Sequence, residues 1–271
     1  MNKEEWKVSK PVKLVEFLLD NHFSYNECLK MLRKKDVRVN DVKVGDDVML
    51  SGGDVVCAYF KERKKLYDLV YDGETYAVVY KYPGIETEEL AKLLNLIAVH
   101  RLDRNTEGLV IFAKNVETQE KLENAFKKHL VNKFYLAEVV GYFDVDKLYM
   151  AYLVKDAERS LVKIFDKFVL GSKKIETKIS TIKAMKESSL LKVQIIGGKT
   201  HQIRAHLAHL GHAIVGDGKY GRREDYQKFK AKHQMLFAYK LEFEKIGLEE
   251  LDGKTFIVLP SFAKEMGLKL D

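Results

Sequence analysis

The first sixty residues carry short patterns of apolar and polar positions that change from helical to strand-like. Apolar residues at helical spacing over 14–18 predict a first short helix. Ser24 and Glu27 have the spacing of a capping box, which predicts that a second helix begins there. Alternating valines on both sides of residues 40–41 predict a hairpin, and a last strand is predicted over 55–59.

From about residue 70 the patterns become longer, and strands outnumber helices. Strands are predicted over 76–80, 109–113, 134–140, 177–185 and 190–196. Helices are predicted over 86–96, 116–128 and 201–210. Because several strands follow one another directly, we expect an α+β domain rather than a doubly wound parallel sheet.

A run of charged residues over 61–65 separates the two patterns. It has no apolar period and therefore predicts a linker. We expect an N-terminal domain over 1–60, a linker over 61–69 and a larger domain over 70–271. No internal repeat or low-complexity segment suggests a different division.

The composition is that of a folded protein with a basic excess. A chain of 271 residues, 46% hydrophobic and 32% charged, suits one small and one larger domain. The formal net charge of +7 favours a polyanionic partner such as nucleic acid, although it is a weak signal.

Two distant cysteines, Cys28 and Cys57, argue against a disulfide framework or a cysteine zinc site. No apolar run approaches the roughly 18 residues of a membrane span. We therefore expect a cytoplasmic protein, with a monomer as the default state.

One short polar loop has the residues for chemistry. Asp103 lies between Arg101 and Arg104, and an apolar strand follows. Nearby positive charge favours the ionised form of a carboxylate, which can then act as a nucleophile or base at neutral pH. An ion-paired surface turn would have the same pattern, so the loop alone leaves both interpretations open.

Two later segments could complete a site with this loop. Tyr135 lies in a predicted strand and offers an aromatic face and a hydroxyl, although a strand tyrosine is more often ordinary sheet packing. Arg204 follows the paired glycines 197–198 and lies beside apolar helix positions. An arginine so placed should be partly buried and should need an anion. Asp103 is a plausible anion.

Two other interpretations of the last segment fail or are weak. Residues 198–200, Gly-Lys-Thr, resemble the end of a phosphate-binding loop, but Val193 stands where that loop requires its first glycine. Four histidines could suggest a metal: His201, His206, His209 and His212. They lack the His-Glu-x-x-His spacing and a completing carboxylate or cysteine, so we expect no metal here. Helix capping, packing and RNA contact are the expected roles.

Three motifs in order resemble the RluA-type RNA pseudouridine synthases. They are His-Arg-Leu-Asp-Arg-Asn-Thr-Glu-Gly over 100–108, Lys-Phe-Tyr-Leu-Ala-Glu-Val-Val-Gly over 133–141 and Lys-Thr-His-Gln-Ile-Arg-Ala-His over 199–206. Residues 214–217 and 220–221 continue the likeness, and 81–84 resemble the family's Lys-Pro-x-Gly opening. The resemblance implies the pseudouridine synthase fold, with a central, mainly antiparallel mixed β-sheet flanked by helices.

The same resemblance implies roles for individual residues. Asp103 is the catalytic aspartate, Tyr135 stacks on the target base and Arg204 pairs with Asp103. Arg101 matches an arginine that fills the gap left by the flipped nucleotide. Further RNA contacts are expected at Arg104, Lys199 and His201. The chain departs from the family at Glu107, where many members have a small residue, and in a short segment between 83 and 100.

The N-terminal pattern has a resemblance of its own. Residues 32–40 and 51–56 resemble the S4 domain, a small RNA-binding module. The resemblance implies RNA contacts at Lys10, Arg33, Lys34, Lys35 and Arg38. A solvated, charged helix end would show the same residues.

The implied reaction converts uridine to pseudouridine. The C1′–N1 bond breaks, the uracil rotates and a C1′–C5 bond forms, so neither a cofactor nor a metal is expected. The base must leave its stack, which favours an unpaired target. Asp103 could attack C1′, add to C6 or remove a ribose proton, and the sequence leaves these routes open.

We expect the substrate to be large-subunit ribosomal RNA, free or in a pre-ribosomal particle, because an S4 domain beside this catalytic domain resembles ribosomal RNA enzymes. The alternatives are a tRNA pseudouridine synthase, a non-catalytic RNA-binding or ribosome-assembly factor, and a histidine-ligated metalloenzyme.

Overall fold

The computed structural model describes residues 2–21, 23–60, 65–156, 158 and 160–265. The chain divides into two compact units. One contains residues 1–65 with 93–95, and the other contains 66–92 and 96–271. Most of the charged run expected to be a linker, residues 61–64, lies outside the described residues. In the part of the chain that is described, no helix is long and apolar enough to cross a membrane.

The first unit packs two helices against short strands. Its elements are β1 (Asn2–Lys7), β2 (Val12–Lys13), α1 (Leu14–Asp20), α2 (Tyr25–Lys34), β3 (Val37–Val39), β4 (Val42–Val44), β5 (Met49–Leu50) and β6 (Val55–Phe60). Four strands form an antiparallel sheet in the order β1-β6-β3-β4. Its core contains the fully buried Leu14, Leu18, Cys28, Val37 and Val56.

The predicted helices, hairpin and last strand of this unit are confirmed. At the start of α2, the Ser24 N–H donates to the Glu27 carboxylate at 2.9 Å, and the Glu27 N–H donates to the Ser24 hydroxyl at 3.4 Å. Asn40 and Asp41 take positive φ angles of 47° and 65°, as a tight hairpin turn requires. The sequence did not predict β1, because this exposed edge strand is mostly polar.

The second unit is larger and has more strands. Its strands are β7 (Tyr67–Asp72), β8 (Tyr76–Lys81), β9 (Ile97–Ala98), β10 (Glu107–Ala113), β11 (Val131–Val140), β12 (Asp146–Asp156), β13 (Leu161–Phe165), β14 (Lys173–Ala184), β15 (Ser188–Ile196), β16 (Leu236–Phe243) and β17 (Thr255–Ile257). Its helices are α3 (Thr87–Leu93), α4 (Val116–Lys127), α5 (Gln202–His209), α6 (Arg223–Phe229) and α7 (Ser261–Glu265).

All these strands belong to one mixed sheet. The main order is β13-β12-β14-β15-β11-β16-β10-β8-β7, with β9 beside β10 and β17 beside β16. The pairs are antiparallel except β10 with β16, which confirms the expected α+β class. Gly108 makes the parallel pair feasible. Its φ is 131°, and a Cβ there would lie 2.3 Å from the Ala238 carbonyl oxygen, so only glycine fits.

Most predicted elements of this unit are confirmed, and one helix is shorter than expected. The helix predicted over 86–96 ends at Leu93, because Asn95 takes a left-handed φ of 53° and β9 begins at Ile97. The helix predicted over 201–210 is α5, and Gly211 follows it with a φ of 87°. The sequence did not predict β12, β13 or β16.

Candidate active site

The loop that carries Asp103 is fixed through the residue before it. Thr87, at the start of α3, is fully buried. Its hydroxyl donates to the Leu102 carbonyl at 3.2 Å and accepts from the Leu102 N–H at 3.1 Å. Within the loop, the Thr106 N–H donates to the Asp103 carbonyl at 2.9 Å. Breaking such buried hydrogen bonds leaves desolvated polar groups, so this backbone is held in one arrangement.

A buried lysine fixes the residue on the other side of Asp103. Lys81, at the end of β8, is 0% exposed. Its ammonium donates to the carbonyls of Tyr82 at 3.2 Å, Ile85 at 3.0 Å and Arg104 at 3.1 Å. All three protons therefore have protein acceptors. Burial lowers the pKa of Lys81 to about 8. The segment 81–84, which resembles the family's Lys-Pro-x-Gly opening, thus holds the Asp103 loop in place by hydrogen bonds.

The Asp103 carboxylate is held by an arginine far away in the sequence. Nη1 of Arg204 donates to Oδ2 of Asp103 at 2.7 Å. Nε and Nη2 of Arg204 donate to the two oxygens of Asp217, at 2.7 and 2.8 Å. Because this second contact is bidentate, it fixes the guanidinium plane and directs the remaining nitrogen at Asp103.

Asp217 belongs to this candidate site, and sequence reasoning did not assign it. Its carboxylate is fully buried, and it also accepts from the backbone N–H groups of Lys219 and Tyr220. Burial acts to raise the pKa of Asp217, but the hydrogen bonds and charge of Arg204 outweigh it and hold that pKa below its usual value. The only signal in the sequence was its place in the segment 214–217, which follows the third motif.

The flanking arginines serve other partners. Arg101 forms ion pairs with Glu88 at 2.9 Å and Glu86 at 3.6 Å, and its side chain is 63% exposed. Arg104 is exposed and donates from Nε to the Gly84 carbonyl at 3.1 Å. Among the described residues, neither makes an ion pair with Asp103. The positive charge expected beside this carboxylate is present, but Arg204 supplies it.

Tyr135 lies on β11 and is 7% exposed. The register of β11 against β16 shifts beside Tyr135 because β16 carries the extra residue, whereas β11 pairs regularly with β15 over the same stretch. The side chains of β11 therefore alternate in the ordinary way, and Tyr135 points to the face of the sheet that carries the cavity. Burial, and then the charge of Asp103, raise the pKa of the Tyr135 hydroxyl well above its usual value. The phenol is therefore protonated at neutral pH. Sequence reasoning left ordinary sheet packing open for this residue, but its ring lines a cavity.

The three residues of the expected trio line one cavity of about 500 Å³. That volume is within the range of small-molecule sites and can hold a nucleoside. Other residues expected to contact RNA also line it: Arg101, Lys199 and His201. The structure thus brings together side chains from the loop before β10, from β11 and from the start of α5.

His201 lies beside Asp103 but is held by Tyr220. Its φ of 52° is left-handed, and its Nδ1 lies 2.8 Å from the Tyr220 hydroxyl. That hydroxyl oxygen also accepts the Val162 N–H at 2.9 Å. Nε2 of His201 lies 3.9 Å from Oδ2 of Asp103. Burial lowers the pKa of His201, so the ring is neutral at pH 7.

The other histidines each have their own structural partner. Their contacts are His206 with Thr177 Oγ1 at 3.0 Å, His209 with Asp166 at 2.8 Å and His212 with the Val140 carbonyl at 3.0 Å. Within the described ranges, no group of three or more His, Cys, Asp or Glu side chains could hold a metal ion. His100, which opens the first motif, accepts the Ile111 N–H at 3.1 Å and stacks on Phe126.

Glu107, which stands where many family members have a small residue, has a hydrogen-bond partner. The Tyr80 hydroxyl donates to its carboxylate at 2.7 Å, and burial raises the pKa of Glu107. The contact lies at the start of β10, so the larger side chain is accommodated by hydrogen bonding to β8 rather than by the cavity.

The basic residues predicted in the first unit lie mostly at its surface. Lys10, Arg33, Lys34 and Lys35 are exposed. Arg38 is half-buried, and its guanidinium lies 5.5 Å from the centre of the Tyr59 ring. These positions suit contact with a polyanion but show no enclosed site.

The second unit combines a mixed, mainly antiparallel sheet with a cavity in which an aspartate, bound by an arginine, lies beside a buried tyrosine. Residues 71–209 match the RNA pseudouridylate synthase family. The chain belongs to this family and is therefore a pseudouridine synthase, an isomerase.

Individual relatives agree with the family. An uncharacterized RNA pseudouridine synthase of Helicobacter pylori is 34% identical over 191 residues, which cover 68% of this chain and 76% of the relative. Ribosomal large subunit pseudouridine synthase C of Vibrio cholerae is 29% identical over 228 residues, covering 72% of this chain and 71% of the relative. The similarity thus spans most of both proteins.

The fold is also shared with a solved structure. Human RNA pseudouridylate synthase domain containing 1 superposes with a TM-score of 0.59 at 22% identity, over 76% of this chain and 96% of that chain. The likeness at this identity shows the fold.

Proposed function

We propose that this enzyme isomerises a uridine of large-subunit ribosomal RNA, with Asp103 as the catalytic aspartate and without a cofactor. The observation that carries the proposal is the chain of contacts from Asp217 through Arg204 to Asp103, at the wall of a nucleoside-sized cavity. Such an arrangement presents one carboxylate at a defined position in the cavity wall, which is what nucleophilic or base catalysis requires.

The two oxygens of Asp103 have different surroundings. Oδ2 accepts the hydrogen bond from Arg204. Among the described residues, Oδ1 accepts none, so it is the oxygen left to react. Attack at C1′, addition at C6 and removal of a ribose proton all need one such oxygen. Each route breaks the C1′–N1 bond, forms the C1′–C5 bond and moves one proton, so that C5 loses its hydrogen and N1 gains one, with no net oxidation or reduction.

Tyr135 supports the uracil by stacking in this proposal. Its raised pKa keeps the phenol protonated, so the hydroxyl is suited to donating a hydrogen bond rather than to removing the C5 proton. The aromatic face remains available to the flipped base, whose loss of stacking costs a few kcal/mol.

Arg101 is assigned to the RNA, with Arg104, Lys199 and His201 as further contacts. Arg101 is mostly exposed, and its acidic partners lie at the start of α3, so an RNA strand can compete for its guanidinium. A phosphate or base that binds Arg101 must replace two exposed ion pairs, which are individually weak.

The first unit is proposed to be an S4 RNA-binding domain over 1–60, joined by a linker over 61–69 to a catalytic domain over 70–271. The exposed basic residues at the end of α2 would bind phosphates of the same RNA, together with Lys10 and Arg38. Ribosomal RNA as the substrate is supported by the name of the Vibrio cholerae relative and by the exposed basic residues at the end of α2. The location proposed is the cytoplasm, and both cysteines are free thiols.

Pseudouridine mapping of total RNA, with and without the gene, tests this proposal. We expect loss of pseudouridine at one or more positions of large-subunit ribosomal RNA and its return with the wild-type gene. A loss confined to tRNA contradicts the substrate. Rescue by Asp103→Ala indicates a non-catalytic factor and overturns the assigned role.

A further inference from the structure

Besides Lys81, the second unit has another buried lysine, and this one lines the cavity of the proposed catalytic residues. Lys133 precedes Tyr135 by two positions on β11, so both side chains point to the same face of the sheet. Lys133 is 9% exposed and lines the cavity. Its ammonium donates to the Gly197 carbonyl and lies 5.5 Å from the centre of the Phe126 ring.

The surroundings of Lys133 differ from those of Lys81. Lys81 uses its three protons on three backbone carbonyls. Lys133 has one protein acceptor, and no carboxylate within 4 Å of it is found in the described part of the chain. Burying an ammonium with so few partners is costly, because it loses hydration without replacement. Such a cation is expected where an anion binds.

The backbone around Lys133 is shaped to admit the ammonium. Gly197 and Gly198 have φ angles of 84° and 141°. A Cβ at Gly198 would lie 3.0 Å from Nζ of Lys133, so a side chain there would crowd it. The glycine pair therefore has a local reason besides the turn into α5: it leaves the ammonium open to the cavity.

A second cation stands on the same wall. Lys199 follows the glycine pair, is exposed and lines the cavity. Burial, and then the positive charge of Lys199, lower the pKa of Lys133 to about 8. Neither lysine forms an ion pair among the described residues, so the repulsion between the two ammonium groups raises the free energy of the empty site. A bound anion would remove that repulsion.

We propose that Lys133 and Lys199, with the Gly197-Gly198 turn, bind a phosphodiester of the RNA next to the uridine that enters the cavity. This inference rests on the proposed function and names one subsite within it. Residues two apart on a strand are separated by about 7 Å, so one nucleotide can reach both Lys133 and Tyr135. The subsite would hold the backbone while the base lies against the tyrosine.

Lys133→Met tests the subsite, with Lys192→Met as the matched control. Lys192 is half-buried on the neighbouring strand β15, but it lies over Phe134 on the opposite face of the sheet. We expect Lys133→Met to weaken binding of an RNA oligonucleotide containing the mapped uridine by about 10- to 100-fold, as loss of a charged hydrogen bond does. The slope of log affinity against log salt should fall by about 0.7. Lys192→Met should change neither.

A structural role for Lys133 would give a different result. If Lys133 only stabilises the Gly197-Gly198 turn, Lys133→Met should lower the melting temperature and kcat. The slope of log affinity against log salt should then stay unchanged. That outcome overturns the subsite. Lys199→Met provides a second variant, since an exposed lysine can be replaced without unfolding the protein. It should reduce the salt slope too, and an unchanged slope again contradicts the proposal.

Neutral linkages in the RNA identify the phosphate. A methylphosphonate is placed at each linkage around the mapped uridine in turn. Wild-type protein should lose affinity at one linkage close to the uridine, and Lys133→Met should lose less there, because only Lys199 still contacts that phosphate. Equal losses of RNA affinity in both proteins at every linkage would contradict the phosphate subsite, even if uridine is still converted. Failure of the wild type to convert any uridine would instead sink the proposed function, so the two failures are distinguishable.

Discussion

The cavity of the second unit and the end of α2 in the first unit use positive charge in opposite ways. Arg204 in the cavity is 7% exposed and bound by two carboxylates. The basic residues 33–35 at the end of α2 are exposed. Buried ion pairs depend on geometry and are costly to break, whereas exposed charges act at longer range and are screened by salt. Changes to the buried ion pairs of Arg204 should therefore affect kcat, and changes at the end of α2 should affect RNA affinity.

Among the residues that support Asp103, the largest effect is expected at Asp217. Asp217→Asn removes the charge that fixes the Arg204 guanidinium, so Arg204 can turn away from Asp103. We expect kcat to fall by about 100-fold and the free energy of unfolding to fall by about 3–5 kcal/mol. Single-turnover kinetics and chemical denaturation measure the two quantities. Asp166→Asn is the control, because His209 is the one ion-pair partner of that exposed carboxylate within the described part of the chain. A folded variant with unchanged kcat would show that Arg204 does not depend on Asp217.

A smaller effect is expected at Lys81. Lys81→Met leaves the carbonyls of Tyr82, Ile85 and Arg104 without their donor and releases one side of the Asp103 loop. We expect a loss of about 1–3 kcal/mol in the free energy of unfolding at pH 7 and a fall in kcat of about 10-fold, with KM little changed. Lys92→Met, at an exposed position of α3, should alter neither. A rise in KM alone would place Lys81 in RNA binding instead.

Lys81 also gives the protein a pH dependence of known sign. Its folded-state pKa of about 8 lies below the ordinary 10.5, so between these values the unfolded chain binds more protons than the folded one. Stability from this residue therefore rises with pH through that window and is lost below it. From pH 8 to pH 10, the unfolding free energy of the wild type should rise by about 2 kcal/mol relative to Lys81→Met. Denaturation at both pH values measures the difference, and a constant difference contradicts the assignment.

The smallest effect is expected at the end of α2. A triple replacement of Arg33, Lys34 and Lys35 by alanine should weaken RNA binding by about 10-fold at low salt and reduce the salt slope, with kcat unchanged at saturating RNA. Lys121→Ala is the control, since that ammonium pairs with Glu117 on α4. Binding titrations across a salt series decide the matter. A fall in kcat rather than affinity would remove the distinction between the two regions.

Local signals explain why much of the fold could be predicted from sequence. The capping box at Ser24, the apolar run of β10 and the glycine after α5 act within a few residues, so the elements they mark were found. The edge strand β1 was missed because its residues are mostly polar, and the pairing with β6 depends on backbone bonds that any sequence can make.

Only those residues of the candidate site that lie in the three motifs could be assigned from the sequence. Motif resemblance brought Asp103, Tyr135 and Arg204 together, although 101 residues separate the aspartate from its arginine. The roles of Lys81 and of the bidentate partner Asp217 were not assigned, because they depend on which groups the fold brings within hydrogen-bond distance. Sequence spacing carries no such information for a buried lysine or aspartate.

The most direct test of the central claim is the single-turnover rate of uridine conversion by Asp103→Asn, measured on the mapped RNA at saturating protein. The variant keeps the shape of the side chain and removes its charge. We predict RNA binding close to that of the wild type and a rate lower by about 10⁴-fold or more. Conversion within tenfold of the wild-type rate would contradict the account, because Asp103 would then not be the residue that acts on the uridine.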